Sequence, residues 1–136
     1  MTSRYLLDTD IVSYLIRGRD PGLEARFKAL LPSSICVSAV TRAELLYGLK
    51  NLPPQHRLQV DVPYFLSLIR VLAWDEKCAD FYAEIRHHLT RSGNLIGELD
   101  MMIAANAMAI DAILVTNNTR HFERIPMPLT LENWAS

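Results

Sequence analysis

The chain has 136 residues, half of them apolar and 21% charged, with a formal net charge of −1. That length suits one domain with a proper core, and the composition excludes a disordered polar chain. The near-neutral balance counts against a protein that holds nucleic acid by bulk charge alone, but not against one that meets phosphates through metal ions.

The first apolar run, about Arg4 to Asp8, reads as a buried strand, and a helical segment carrying Ile11, Val12, Tyr14, Leu15 and Ile16 follows directly. Arg17-Gly18-Arg19-Asp20-Pro21-Gly22 is punctuation. A second helix is predicted from Leu23 to Leu31, ended by Pro32-Ser33-Ser34, and Ile35-Cys36-Val37 is a second buried strand. Ser38 or Thr41 caps the next helix, which runs to about Leu49. After Leu52-Pro53-Pro54, a helix from Gln55 to Ile69 contains Pro63, which predicts a kink or two shorter helices. Val71-Leu72-Ala73 is a third strand. From Lys77 to Arg91 the apolar spacing of Cys78, Phe81, Tyr82, Ile85 and Leu89 marks an amphipathic helix. The run Met101 to Ile110 is apolar on nearly every side and predicts a buried helix. Ile113 to Thr116 is a fourth strand, and Leu129-Thr130-Leu131 a fifth.

Strands alternating with helices predict an α/β fold, a three-layer α/β/α sandwich around a parallel sheet of four to five strands, spanning 1–136 as a single domain. Cys36 and Cys78 fall in apolar-periodic segments and are expected as buried free thiols. Neither a secretory leader nor an apolar run of about 20 residues is visible, so a cytoplasmic protein without a membrane span is expected.

In parallel sheets the chemistry sits at the carboxyl ends of strands. Asp8, Glu44 and Asp100 stand at predicted helix starts, and Asn117 directly follows the fourth strand. Each acid has an ordinary reading as a helix cap, and Thr41-x-x-Glu44 fits a capping box. Together, carboxylates sharing a desolvated pocket repel unless a cation neutralises them, and all-oxygen donors suit Mg²⁺ or Mn²⁺. His87 and His88 fall on the polar side of their helix and are expected at the surface; His121 is nearer the acids. Arg17, Arg19, Arg42, Arg86, Arg91, Arg120 and Arg124 are scattered, and folding could gather some into a basic rim.

Four stretches in order resemble the PIN-domain ribonucleases, and within them the VapC-type toxins of bacterial toxin–antitoxin pairs. They are Tyr5 to Ser13, Ser38 to Gly48, Ile96 to Ala105, and Leu114 to Ile125. The resemblance implies a PIN-like fold and a Mg²⁺-dependent endoribonuclease (Mn²⁺ substituting), with Asp8, Glu44 and Asp100 as catalytic metal ligands. Thr116 and Asn117 sit where the family places a further polar or acidic group, which makes Asn117 a fourth candidate. Asp10 is a supporting group or an extra cap. The resemblance further implies a tRNA or rRNA substrate and inhibition of translation. It also implies a homodimer and a VapB-type antitoxin over the active groove; the apolar faces of residues 9–16 and 55–69 read as core first and as docking surfaces second. A non-catalytic binding module is one alternative. A haloacid-dehalogenase-like phosphatase, suggested by Asp8-Thr9-Asp10, is another; it needs a strand-end lysine, and Lys28, Lys50 and Lys77 all fall in or beside helices.

Overall fold

A computed structural model describes residues 3–135; Met1, Thr2 and Ser136, the ends of the expected 1–136 domain, lie outside the described residues. The strands are β1 (Tyr5–Leu7), β2 (Ile35–Ser38), β3 (Arg70–Leu72), β4 (Ile113–Val115) and β5 (Leu131–Glu132). They form one five-stranded sheet in the order β3-β2-β1-β4-β5, every neighbouring pair parallel. The helices are α1 (Thr9–Arg17), α2 (Pro21–Lys28), α3 (Ala39–Lys50), α4 (Leu58–Leu68), α5 (Glu76–Ser92), α6 (Glu98–Ala109) and the single turn α7 (Thr119–Phe122).

Alternation along the strands divides the core into two layers, because successive side chains point to opposite faces. On β1, Leu6 packs with Ile85, Leu89, Ile103 and Ala104 of α5 and α6, while Leu7 packs with Ile11, Val12, Leu23 and Val62 on the other side. Neighbouring strands repeat the division, with Cys36 and Leu114 on the first face and Val37 and Val115 on the second. This is the expected three-layer sandwich with a parallel sheet. Cys36 and Cys78 are both free and buried, and burial pushes the Cys36 thiol up to about 11. Among the described residues no helix is long and apolar enough to cross a membrane.

Several boundaries differ from expectation, each for a local reason. Helix α2 begins at Pro21, since Asp20 caps it and proline needs no partner in a first turn. Helix α4 runs unbroken through Pro63 from Leu58, and the residues after Pro53 form turns instead. Strand β3 starts at Arg70, one residue earlier than expected, because its register pairs Arg70 with Cys36. Strand β5 comprises Leu131–Glu132 rather than residues 129–131, because the pairing with Leu114 starts at the Thr130 carbonyl. Helix α5 starts one residue early, capped by the Asp75 carboxylate. Helix α6 starts at Glu98, so Asp100 lies inside its first turn rather than ahead of it.

Candidate active site

From β1 the chain moves outward one way through β2 and β3, and later places β4 and β5 on the other side of β1. The crevice beyond the carboxyl ends of β1 and β4 is therefore the topological switch point, where open α/β sheets bind their ligands. Asp8 leaves β1 into this crevice, and Thr116 and Asn117 leave β4 beside it. The Asp8 amide donates to the Val115 carbonyl at 2.8 Å, which locks the two strand ends together.

Asp8 is 5% exposed. One carboxylate oxygen accepts from the Thr9 amide and the other from the Thr116 hydroxyl, both at 2.8 Å. The Thr116 hydroxyl in turn accepts from the Asn118 amide at 2.9 Å, which leaves its proton for Asp8. Burial, with the Asp10 charge next and Asp100 a smaller contributor, raises Asp8 from 3.8 to about 7 against the pull of these two donors. Asp10 accepts from the Ile11 amide at 2.7 Å and the Asn117 amide at 3.2 Å. Burial raises it too, while these donors and Asp8 pull it down.

Asp100 reaches the same crevice from α6, its side chain 30% exposed, with His121 Nδ1 3.5 Å from one oxygen. Asn118 Nδ2 lies 2.7 Å from the same ring nitrogen. His87 and His88 sit exposed on α5, their rings edge to face with centroids 5.7 Å apart, as expected of surface residues.

Glu44 stands apart from this trio. It lies midway along α3, not at a helix start, and its carboxylate accepts from the Thr9 hydroxyl at 2.7 Å. The expected capping box is therefore not formed: Ser38 caps α3 through the Val40 amide, while Thr41 is buried with its hydroxyl 3.0 Å from that of Thr9. Thr9 thus joins the two acids, with its backbone on Asp8 and its side chain on Glu44. Asn117 gives its backbone amide to Asp10, but its side chain turns away. Its Nδ2 is 3.4 Å from the Tyr14 hydroxyl, and its Oδ1 accepts from Asn133 Nδ2 at 3.3 Å.

Asp10, Thr9, Tyr14 and Asn133 are the members that sequence reasoning undervalued. Residues two apart on a helix do not face each other, and Asp10 read as a supporting group or an extra cap. Asp8, however, is the extended N-cap of α1, with φ −68 and ψ 159, and that turn folds both carboxylates into one crevice. Asn133 carries no sequence signal; β5 alone brings it here.

The donors that gather here suit a hard divalent cation. In this partly desolvated crevice the charges of Asp10 and Asp100 raise the proton affinity of Asp8, and that of Asp100 raises Asp10; a cation relieves that repulsion as a proton does. Among the described residues no three His, Cys, Asp or Glu side chains form a ready-made cage. Mg²⁺ needs none, since it is commonly held by one or two carboxylates plus water and substrate phosphate.

The chain matches the model of the PIN domain over residues 5–127. It is 41% identical over 133 residues to ribonuclease VapC2 of Haemophilus influenzae, covering 97% of this chain and 98% of that protein. It is 38% identical over 133 residues to the tRNA(fMet)-specific endonuclease VapC of Salmonella typhimurium, with the same coverage. Among solved structures, the DNA-bound VapBC complex of Salmonella typhimurium superposes with a TM-score of 0.90 at 34% identity, covering 98% of this chain and all of that one. VapBC2 of Rickettsia felis, bound to a promoter fragment, superposes at 0.87 and 36% identity, covering 96% and 98%. On sequence and fold alike, the chain belongs to the PIN-domain family, in its VapC branch.

Proposed function

We propose that this chain is a VapC-type endoribonuclease, the toxin of a toxin–antitoxin pair, which hydrolyses a phosphodiester bond of a structured RNA and so inhibits translation. The observation that carries the reading is the carboxylate crevice at the β1/β4 switch point, with Asp8 buried, doubly held and crowded by Asp10 and Asp100. Relatives of matching length named ribonuclease and tRNA(fMet)-specific endonuclease support it and favour tRNA, with rRNA as the second candidate.

We assign Asp8, Glu44 and Asp100 as ligands of Mg²⁺, with Mn²⁺ as a substitute and Asp10 beside them. When bound, such an ion lowers the pKa of water and screens the charge that develops on the phosphate. The chain's own groups do the rest. Thr9 and Thr116 fix the Asp8 carboxylate so that it needs no reorganisation. Glu44 or Asp100 takes the proton that the attacking water loses. Asn117 supports the set through its backbone amide on Asp10.

The partners we assign are a VapB-type antitoxin and a second copy of this chain. A groove of about 310 Å³ beside Glu44, lined by Leu45, Leu49, Leu58 and Val62, supports the first. The stripe Val60, Tyr64 and Leu68 on α4, exposed by 64–71%, is an unburied apolar face of the kind that subunits cover.

The test is incubation of antitoxin-free protein with total tRNA and rRNA in Mg²⁺, Mn²⁺ or EDTA, beside Asp8→Ala. Discrete fragments that require metal and vanish in the variant are expected. Intact RNA under all conditions, with the protein folded, would overturn the assignment and favour a binding module.

A further inference from the structure

Next to the carboxylates lies a second feature, which meets the cleavage machinery only at Asp10 and the Asn117 backbone. Asp10, Tyr14 and Arg17 sit at positions i, i+4 and i+7 of α1, and so share one face of the helix. From Asp10 to Arg17 that face runs about 10 Å along the axis. It ends at a cavity of about 350 Å³ lined by Tyr14, Arg17, Arg19, Asp20, Asn117 and Ala135. A volume of about 300 Å³ is the lower end of what small-ligand pockets enclose, so this one is sized for a single nucleotide. Gly18, at φ 67, ends α1 in the left-handed region and turns the chain so that the arginines on both sides of it reach the cavity.

Its chemistry is that of a nucleotide reader. The Asn117 amide presents a donor and an acceptor side by side, the pattern that pairs with a base edge. Its two present partners, Tyr14 at 3.4 Å and Asn133 at 3.3 Å, are long contacts. They lie beyond the usual range of N–H···O bonds, so an incoming base exchanges them at little cost. Asn133 is itself fixed, its oxygen accepting from the Ala135 amide at 2.9 Å. Tyr14, half-buried against the second core layer, lines the pocket and presents its hydroxyl beside the Asn117 amide. Both arginines are exposed and matched to phosphate, and Asp20 caps α2 through the Leu23 amide. The Asn117 backbone meanwhile holds Asp10, so the pocket and the carboxylate crevice share a wall.

We infer that this cavity is a nucleotide subsite: it takes an unpaired base adjoining the scissile phosphate, read by the Asn117 amide against Tyr14, with Arg17 and Arg19 on the flanking phosphates. The inference rests on the ribonuclease reading and names how that activity chooses its bond. An RNA strand with one phosphate at Asp8 and Asp100 carries its neighbouring nucleotide along α1 into the pocket. Only a strand free of pairing there can turn a base edge inward, so the site selects loops and junctions over duplex.

The experiment has two arms, both on the full chain. In the first, a pool of single-stranded RNA with random sequence is cut by wild type, Asn117→Ala, Asn117→Asp and Arg17→Ala in Mg²⁺, and the cut sites are sequenced. Wild type should show a base preference at one position beside the cut. Asn117→Ala should lower kcat/KM about tenfold to a hundredfold on preferred sites and flatten that preference. Asn117→Asp, which loses the donor, should shift it towards bases that present an amino group. Arg17→Ala should weaken all sequences alike and reduce the salt dependence by about one phosphate contact. An unchanged preference in both Asn117 variants, with cleavage intact, overturns the subsite while leaving the nuclease standing; so does a pocket that responds only to a protein partner. The second arm covers the case in which no RNA is cut. Asp8→Asn protein is titrated with fluorescent eight-residue oligo(A), oligo(C), oligo(G) and oligo(U). Affinities that differ between bases, and converge in Asp8→Asn/Asn117→Ala, support the subsite without cleavage. Four equal affinities overturn it.

Discussion

Asp8 is a carboxyl that the fold holds at a cost, and that cost is measurable. Its value rises from 3.8 to about 7, first through burial and then through Asp10. Between those two values the folded state keeps a proton that the unfolded state has released, so stability falls as pH rises across the window. At about 1.36 kcal/mol per pH unit, the fully developed penalty is about 4 kcal/mol above pH 7, and about 3 kcal/mol of it appears between pH 5 and pH 8. Asp8→Asn removes the titrating group with almost no change of shape. The Asn oxygen still accepts from the Thr9 amide, but the new amide no longer accepts from the Thr116 hydroxyl, a loss of about 1 kcal/mol that does not depend on pH. Urea unfolding in EDTA from pH 5 to pH 8 separates these effects. The variant should be close to wild type near pH 5 and should gain on it by about 3 kcal/mol at pH 8. Parallel stability curves for the two proteins would refute the argument that Asp8 is desolvated and repelled in the metal-free crevice.

Three other perturbations test the same architecture. A saturating divalent ion should stabilise the wild type by about 10 °C at pH 8 when present at a hundred times its Kd, and by less than half of that at pH 5.5, where protons compete; scanning calorimetry in Mg²⁺ and EDTA reads the difference, and equal increments at both pH values would contradict it. Thr116→Val deletes a buried hydroxyl that serves both Asp8 and the Asn118 amide. It should cost about 2–3 kcal/mol in urea and, because this bond lowers Asp8, move the acid limb of the cleavage profile to higher pH; a loss of stability with an unmoved profile would make Thr116 purely structural. Asn106 is fully buried in α6, and neither side-chain polar atom has a hydrogen-bond partner. Asn106→Leu, which keeps the branching at Cγ and the heavy-atom count, should gain about 1–2 kcal/mol, whereas a clear loss would reveal a partner such as an enclosed water or a site too tight for the larger methyls.

The layers of the fold were legible because short continuous apolar runs at β1, β2 and β4, alternating with helical patterns, point to a parallel sheet buried on both faces. The edges were less so. Strand β5 is two residues long and owes its position to pairing with β4 rather than to its own pattern. Asp8 was readable from its place at a strand end, and Asp100 from the apolar helix behind it. Glu44 was readable as a candidate but not as a mid-helix residue tied to Thr9, since the capping-box spacing favoured a local partner and the long-range one won. Asn117 was legible as a polar group after β4; that its backbone and side chain face different neighbours depends on Asn133, sixteen residues onward. Of the scattered arginines, folding brings Arg17 and Arg19 together around Gly18, whereas Arg86 pairs with Glu98 and Arg124 reaches the Leu95 carbonyl.

The central claim, that the crevice carboxylates and a divalent ion together cut RNA, is tested most directly by one titration. The rate of tRNA cleavage is followed against Mg²⁺ concentration at pH 8, with ion binding measured calorimetrically on the same protein and on Asp8→Asn. Cleavage should rise along the binding isotherm, vanish in EDTA and be absent from the variant, whose ion affinity falls at least tenfold. Cleavage that persists in EDTA, or an Asp8→Asn protein that binds and cuts like wild type, would contradict the account.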